Sequence, residues 1–207
     1  MSVAILIPLM RPHRIALVVQ SIVDSTQSYS IVVVATGECA DAARSLPVTL
    51  IEDDGGTYPV RINKAFHACT EPYVFLGADD LSFRAGWFES AMIKMNEVNG
   101  VVGINDLHNM AGVHFLVSRY YINECGGTGD GTPGVVLCEE FSHQYCDDEL
   151  RHVAQYRNRW AFAKEAVVEH LHPGAGKAPS DPIYVMGNAA GAHDREVFMR
   201  RRHMWGE

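Results

Sequence analysis

Short apolar runs alternate with amphipathic stretches along the first half of the chain. Residues 3–9 (VAILIPL) are apolar throughout, which is typical of a strand covered on both faces of a sheet. The next apolar positions are spaced i, i+3, i+4 and i+7, which predicts a helix with one buried face formed by Ile15, Val18, Val19 and Ile22. The alternation then repeats, with strands predicted at 31–34, 48–51, 73–76 and 101–104 and helices at 38–44, 60–69 and 85–97.

This alternation predicts βαβ units, and therefore the α/β class with a mostly parallel sheet flanked by helices. The second half of the chain is less regular, and its predicted elements are a strand at 114–117, a helix at 147–157 with Asp147 as N-cap, a strand at 167–171 and a helix at 195–203. Two glycine-containing loops, 126–134 and 174–182, are expected to cover a bound ligand. No linker of domain scale interrupts the sequence, so residues 1–207 are expected to form one domain.

Composition narrows the class of protein. The 17 Lys and Arg residues against 25 Asp and Glu residues give a net charge of −8, which argues against general binding to a nucleic-acid backbone. A hydrophobic content of 47% excludes a disordered chain, and no apolar run reaches the roughly 20 residues of a membrane-spanning helix. The five cysteines follow no disulfide framework, which indicates reduced thiols in a cytoplasm. The ten histidines are the unusual feature of this composition.

Polar residues follow the predicted strands at their carboxyl ends, where ligands bind in parallel sheets. These residues are Arg11, Thr36, Asp53, Asp54, Asp79 and Asp80. The adjacent pair Asp79 and Asp80 suits a hard divalent cation that bridges phosphates, and it is equally the composition of a solvated turn that caps a helix. Arg11 and Arg61 suit phosphate because a guanidinium can donate two parallel hydrogen bonds.

Three carboxylates open the predicted helix at 147–157, namely Asp147, Asp148 and Glu149. Three neighbouring acids resist simultaneous ionisation, so one of them is expected to have a raised pKa and to serve as a general base. The alternative interpretation is helix capping and compensation of the helix dipole.

The segment from Tyr58 to Phe88, YPVRINKAFHACTEPYVFLGADDLSFRAGWF, resembles the nucleotide-sugar-binding half of GT-A glycosyltransferases, in particular glycosyltransferase family 2. The N-terminal IPLMRPHR resembles that family's first strand with its proline, here Pro8. The segments HQYCDDEL (143–150) and VVEHLHP (167–173) resemble small phage-encoded members of the family. The resemblance implies a GT-A fold with a nucleotide-sugar-binding half at 1–105 and an acceptor-binding, metal-completing half at 106–207.

The resemblance also implies a reaction and its participants. A sugar would pass from a nucleoside diphosphate sugar, with UDP favoured, to a hydroxyl acceptor with inversion, in the presence of Mn²⁺ or Mg²⁺. Asp79 and His172 would hold the metal, with His170 as a further candidate, while Asp147 would be the base and Asp148 its reserve. The donor would contact a larger set, which comprises Pro8, Arg11, Thr36, Asp53, Tyr58, Arg61, Asn63, Ala78 and Asp80.

Two departures from the family pattern keep alternatives open. Gly77 stands where the family has the first aspartate of its Asp-x-Asp motif, which allows a non-catalytic module that binds nucleotide sugars or glycans. The usual Asp-Asp-Gly-Ser after the second strand is replaced by ATGE at 35–38, which leaves base recognition to Thr36, to backbone groups or to Asp53. A nucleotidyltransferase is a further alternative, but IPLMRPHR lacks the glycine-rich phosphate loop of that class.

The acceptor and the assembly remain open at this stage. A phage origin would suggest a virion protein, a glycan or a modified DNA base as acceptor, and the host cytoplasm as the compartment. No membrane span is expected, and a homodimer is left open.

Overall fold

The computed structural model describes residues 1–109 and 112–206. The strands are β1 (Val3–Pro8), β2 (Tyr29–Ala35), β3 (Thr49–Glu52), β4 (Tyr73–Leu76), β5 (Leu81–Phe83), β6 (Val101–Asn105), β7 (Phe115–Ser118) and β8 (Trp160–His170). The α-helices are α1 (Ile15–Ser25), α2 (Glu38–Ala43), α3 (Tyr58–His67), α4 (Trp87–Val98), α5 (Arg119–Cys125), α6 (Cys146–Tyr156), α7 (Pro182–Ala189) and α8 (Gly191–Arg201). Short 3₁₀ helices lie between β8 and α7, at Pro173–Ala175, and after α8, at Arg202–Trp205.

The strands form one mixed sheet in the order β3-β2-β1-β4-β7-β6-β8-β5. β1 runs parallel to β2 and β4, β2 is parallel to β3, and β6 is parallel to β8. β7 runs antiparallel to both of its neighbours, and β5 is antiparallel to β8. The predicted fold class, a mostly parallel α/β sheet flanked by helices in a single domain, is confirmed.

The sheet separates two hydrophobic layers, which explains why its central strands read as continuous apolar runs. Ile5 and Ile7 of β1 face one layer together with Trp87, while Ala4 and Leu6 face the other layer, because successive side chains of a strand point to opposite faces. All five of these side chains have no exposed surface. Burial of each large apolar side chain stabilises the fold by about 1.5–3 kcal/mol.

Every strand predicted from the apolar pattern is present, but β5 is an additional, unpredicted strand, and β8 is the strand that most exceeds its predicted length. β8 begins at Trp160 rather than at residue 167. Its pairing with β6 is interrupted by an irregularity after Ala163, where Lys164 and Glu165 are exposed and the register resumes at Val167. Two charged residues in such a bulge break the apolar pattern, which hides the first half of the strand.

The helical predictions need three corrections. α5 and α7 were not predicted, and α7 begins at the end of the segment that was predicted as the loop 174–182. The last helix begins at Gly191 rather than at residue 195. Asp147 is not the N-cap of α6, because Tyr145 occupies that position in a left-handed conformation (φ 63°) and places Asp147 inside the first turn.

Two further expectations concern membranes and thiols. Across the described residues, no helix has the length and apolar character that membrane crossing requires. Each of the five cysteines is a free thiol, in agreement with the absence of a disulfide pattern in the sequence.

Candidate functional site

A cleft of about 660 Å³ opens at the carboxyl ends of β1 and β4. Its walls come from the chain after β1 and β4, the start of α3, the segment that leads into α6, the end of β8 and the inner side of α7. The predicted site residues that line it are Pro8, Arg11, Tyr58, Arg61, Ala78, Asp79, Asp80, Asp147, Asp148, His170 and His172. Residues far apart in sequence therefore meet in one place, as expected at the carboxyl ends of parallel strands.

The floor of the cleft is an ion pair between Asp79 and Arg11. The parallel pairing of β1 with β4 brings Asp79 beneath the chain that leaves β1. The Asp79 carboxylate accepts hydrogen bonds from the backbone N–H groups of Met10 and Arg11, both at 2.7 Å, and from Arg11 Nη1 at 2.6 Å. Burial raises the pKa of Asp79 above its ordinary value, although the Arg11 charge acts in the opposite direction.

The close packing of β1 against β4 explains why position 77 is a glycine. The Gly77 N–H donates to the Leu6 carbonyl at 2.9 Å, and a Cβ atom at this position would lie 2.8 Å from that same oxygen. An aspartate would force the ends of β1 and β4 apart. The departure from Asp-x-Asp is therefore built into the packing of these two strands.

Asp80 is held from the opposite side, by the end of β8 and by α7. The Leu171 N–H donates to the Asp80 carbonyl at 2.8 Å, which draws β8 towards β4. Tyr184 Oη donates to Asp80 Oδ2 at 2.7 Å, and His170 Nε2 lies 3.4 Å from the same oxygen. Burial opposes ionisation of Asp80, but His170 and Tyr184 outweigh it and hold the pKa of this carboxyl well below its usual range.

Four of the ten histidines form a row along this side of the cleft. The ring centroids of His114 and His170 are 5.0 Å apart, those of His170 and His172 are 5.0 Å apart, and His172 stacks on His108 at 5.7 Å. His114 is buried, and burial together with the neighbouring His170 lowers its pKa to about 4. The row places imidazole rings beside Asp80.

Several buried polar atoms in this region lack a protein partner. Within residues 1–109 and 112–206, Asp80 Oδ1, His114 Nε2 and His170 Nδ1 have no hydrogen-bond partner. Buried polar atoms are almost always paired, so a group of unpaired ones beside a cleft indicates a place for a ligand.

The side chains in this region supply some, but not all, of the ligands that a divalent cation would need. A carboxylate and an imidazole are a normal mixed pair for Mn²⁺, and Asp80 with His170 supplies it. In the described part of the chain, however, no three His, Cys, Asp or Glu residues stand together in a metal-binding arrangement. Asp79 is engaged by Arg11, and His172 Nδ1 accepts a hydrogen bond from the Gly174 N–H at 3.0 Å.

The first turn of α6 contributes the acids on the other wall. Asp147 is half-buried there, and burial together with the negative charge of Asp148 raises its pKa to about 7. Asp148 pairs with Arg151 on the next turn of the helix. Asp147 is thus the acid of this pair that has no nearby ion-pair partner among the described residues and that titrates near neutrality.

Arg61 and Tyr58 project from α3 into the cleft. Arg61 is 3% exposed, donates from Nη1 to the Leu9 carbonyl at 3.3 Å, and pairs with Asp53 at 3.4 Å. Tyr58 Oη donates to the Gly77 carbonyl at 3.2 Å, which joins the start of α3 to the end of β4.

Three of the residues predicted to contact the nucleotide sugar do not line the cleft. Thr36 is exposed after β2. Asp53 stands behind Arg61 and forms ion pairs with both Arg61 and Lys64. Asn63 faces away from the cleft and binds the following loop, because its side chain donates to the Leu137 carbonyl at 2.8 Å and accepts from the Val136 N–H at 3.0 Å.

α7 supplies several of the cleft residues that the sequence pattern did not predict. Asp181, its N-cap, accepts from Arg11 Nε at 2.7 Å, while Ile183, Tyr184, Met186 and Gly187 line the cleft directly. A signal for this helix is present in the sequence, because an aspartate followed by proline is a typical N-cap and first helical position. The loop predicted at 126–134, by contrast, does not reach the cleft.

Comparisons with known proteins bear on the fold. No family model matches the chain, and no curated protein matches it. The crystal structure of S. aureus TarS residues 1–349 is similar, with a TM-score of 0.59 at 11% identity over 81% of this chain and 59% of that one. The same fragment in complex with UDP gives a TM-score of 0.55 at 12% identity with the same coverage.

The longer TarS structure gives a TM-score of 0.59 at 12% identity, and this chain covers 36% of it. The chain therefore spans less than two thirds of the length of these structures. At such identities the likeness establishes the fold, which is the α/β arrangement predicted from the GT-A resemblance.

Proposed function

We propose that this chain is a metal-dependent glycosyltransferase that moves a sugar from a nucleoside diphosphate sugar to a hydroxyl acceptor. The observation that carries the proposal is one cleft that combines Arg11, the Asp80–His170 pair and an acid, Asp147, with a pKa of about 7. UDP is the favoured nucleotide, because the fold is similar to that of a protein whose structure was determined with UDP.

The reaction follows from the placement of Asp147. The oxygen of the acceptor hydroxyl attacks the anomeric carbon, its proton passes to the Asp147 carboxylate, and the bond from that carbon to the diphosphate oxygen breaks with its electron pair on the diphosphate. A base with a pKa near the working pH is efficient in this role. A single displacement inverts the anomeric configuration. Asp148, paired with Arg151, is the reserve base.

The leaving diphosphate needs positive charge. Arg11 would donate to its oxygens, and Arg61 would support it from α3. A divalent cation, when bound, supplies further charge to the leaving group. Asp80 and His170 are the residues that would hold it in this geometry, with Asp79 and His172 the other predicted ligands.

The experiment that tests this proposal measures UDP release from a panel of UDP-sugars in the presence of Mn²⁺. For Asp147→Asn we expect a loss of turnover of about 10²–10⁴-fold, the usual contribution of a general base, with the UDP affinity retained. Asp148→Asn is the comparison variant that separates the two acids. Full turnover of Asp147→Asn would overturn the assignment of the base.

A non-catalytic nucleotide-sugar-binding module is the second candidate. The observations that favour it are the steric exclusion of an aspartate at Gly77 and the absence of a three-ligand metal group among the described residues. Tight UDP binding by the wild type without turnover of any donor would establish this candidate in place of the enzyme.

A further inference from the structure

The segment 176–189, here called the strap, enters the cleft and engages the groups that a donor would need. Asp181 accepts from Arg11 Nε at 2.7 Å, and the Tyr184 ring lies under the Arg11 guanidinium with 4.2 Å to its centroid. The Tyr184 hydroxyl donates to Asp80 Oδ2 at 2.7 Å. The strap therefore binds both Arg11 and Asp80, the cation and the carboxylate of the candidate diphosphate site.

The charge balance of this arrangement opposes the entry of a diphosphate. Asp79, Asp80 and Asp181 surround the single guanidinium of Arg11, at 2.6, 3.7 and 2.7 Å respectively. These three carboxylates and one cation sum to a formal charge of −2, and all but the partly exposed Asp181 are buried, where charges are only weakly screened. The Asp181 carboxylate also offers Arg11 an oxyanion of the kind that a phosphate would offer.

The strap packs closely against the wall of the cleft, and a glycine lies at or just beyond each of its ends. A Cβ atom on Gly187 would lie 2.7 Å from the His143 ring, so α7 approaches the cleft wall as far as only glycine permits. Gly176 has a φ of +69° at one end of the strap, and Gly191 begins α8 just after the other end. Val185, which does not line the cleft, is more than half exposed, so its side of α7 packs against little.

α8, which follows the strap, is fixed to the body of the protein. The Asp194 carboxylate is fully buried and accepts from the consecutive N–H groups of Ser142, His143 and Gln144 at 2.7–2.8 Å. Arg201, near the end of α8, binds both oxygens of Glu149. Because α8 is anchored in this way, the strap can leave the cleft without displacing the elements that follow it.

We propose that the strap is an autoinhibitory plug, in which Asp181 and Tyr184 hold Arg11 and Asp80 until a nucleoside diphosphate with its divalent cation displaces them. The identity of the displacing ligand rests on the proposed function. The plug predicts that weakening the strap improves ligand binding, because a larger fraction of the protein is then open. A residue of the strap that contacted the donor would have the opposite effect.

The test is titration of the full chain with UDP in the presence of Mn²⁺, by calorimetry for affinity and by stopped flow for rates. Asp181→Asn removes the charge but keeps a good N-cap for α7, and Tyr184→Phe removes the hydroxyl but keeps the ring. For each variant we expect UDP to bind about threefold to tenfold more tightly, mainly through faster association. Asp24→Asn, which makes the same charge change on α1 away from the cleft, should bind as the wild type does.

Each other outcome is decisive. Weaker or unchanged UDP binding by Asp181→Asn and Tyr184→Phe overturns the plug, and a change confined to the dissociation rate assigns these side chains to the donor site. If neither the wild type nor the variants bind UDP, both the proposed function and this role of the strap are overturned. The two failures are thereby distinguished.

Discussion

Arg11 and Arg201 are both buried and both face three carboxylates, but only Arg11 lies in an open cleft. Arg11 is 5% exposed and Arg201 is 4% exposed, so the two arginines do not differ in their burial. Arg201 pairs with Asp130, Glu140 and Glu149, as Arg11 pairs with Asp79, Asp80 and Asp181. The difference lies in how completely the polar atoms around each arginine are paired.

In the part of the chain that the structure describes, no buried side-chain atom of Arg201 or of its three acidic partners lacks a hydrogen-bond partner. Arg201 Nε donates to Glu149 Oε2 at 3.0 Å and its Nη2 to Glu149 Oε1 at 2.9 Å, a bidentate arrangement. Glu149 also accepts from the Gly129 N–H at 2.7 Å, which holds the 126–134 loop against α6. This cluster joins the end of α8 to α6 and acts as a structural anchor.

Around Arg11 the pairing is incomplete. Asp80 Oδ1 and the nearby His170 Nδ1 lack partners in the described residues, and the cluster borders a cleft of about 660 Å³. A buried polar network that is fully paired stiffens a fold, whereas one with unpaired atoms at a cavity suits a ligand. The same residue types therefore form a candidate binding site in one place and a structural anchor in the other.

The largest expected effect tests the anchor. Arg201→Met removes the partner of a buried carboxylate, so the free energy of unfolding should fall by about 3–5 kcal/mol in urea denaturation. The variant that remains folded should bind UDP as the wild type does, since Arg201 is absent from the cleft lining. A loss of stability well below 1 kcal/mol would contradict the role of Arg201 as an anchor.

The next effect tests the cleft. Arg11→Met should raise the Kd for UDP at least about tenfold, or 1.4 kcal/mol, because a bidentate phosphate contact is lost. Its loss of stability should be smaller than that of Arg201→Met, because Asp79 keeps the two backbone N–H groups of Met10 and residue 11. Unchanged UDP affinity would remove Arg11 from the donor site.

The smallest effect compares two acids in the first turn of α6. The pKa of Asp147 is raised from 3.8 to about 7 in the folded protein, so this group lowers the stability of the fold progressively as the pH rises from about 4 to about 7. Asp147→Asn should therefore raise the Tm at pH 8 by about 2–4 °C and raise it less at pH 5, where the unfolded-state carboxyl is ionised while the folded-state carboxyl is still protonated. Glu149→Gln, which weakens the pair with Arg201, should lower the Tm at pH 8. A lower Tm for both variants at pH 8 would contradict the assignment.

The first half of the chain could be predicted well because its strands are buried on both faces. Continuous apolar runs identify β1, β2 and β4, and parallel pairing then brings Arg11, Asp79 and Asp80 together at one edge of the sheet. These predictions needed only local patterns and one rule of topology.

The contacts of the strap and the first half of β8 could not be predicted in the same way. Asp181 meets Arg11 across 170 positions of sequence, and no local pattern specifies such a pairing. The exposed Lys164 and Glu165 conceal half of β8, and Asn63 has its partners in the loop near Leu137 rather than in a ligand. Long-range packing, rather than residue type, determined these outcomes.

The most direct measurement is a crystal structure of the chain with UDP and Mn²⁺, with the ion located by its anomalous signal. The proposed function predicts the ion between Asp80 and His170, the diphosphate on Arg11, and the nucleotide in the cleft beside Tyr58. The plug further predicts that Asp181 and Tyr184 have left Arg11 and Asp80. An ion and a nucleotide bound away from this cleft would contradict the proposed site.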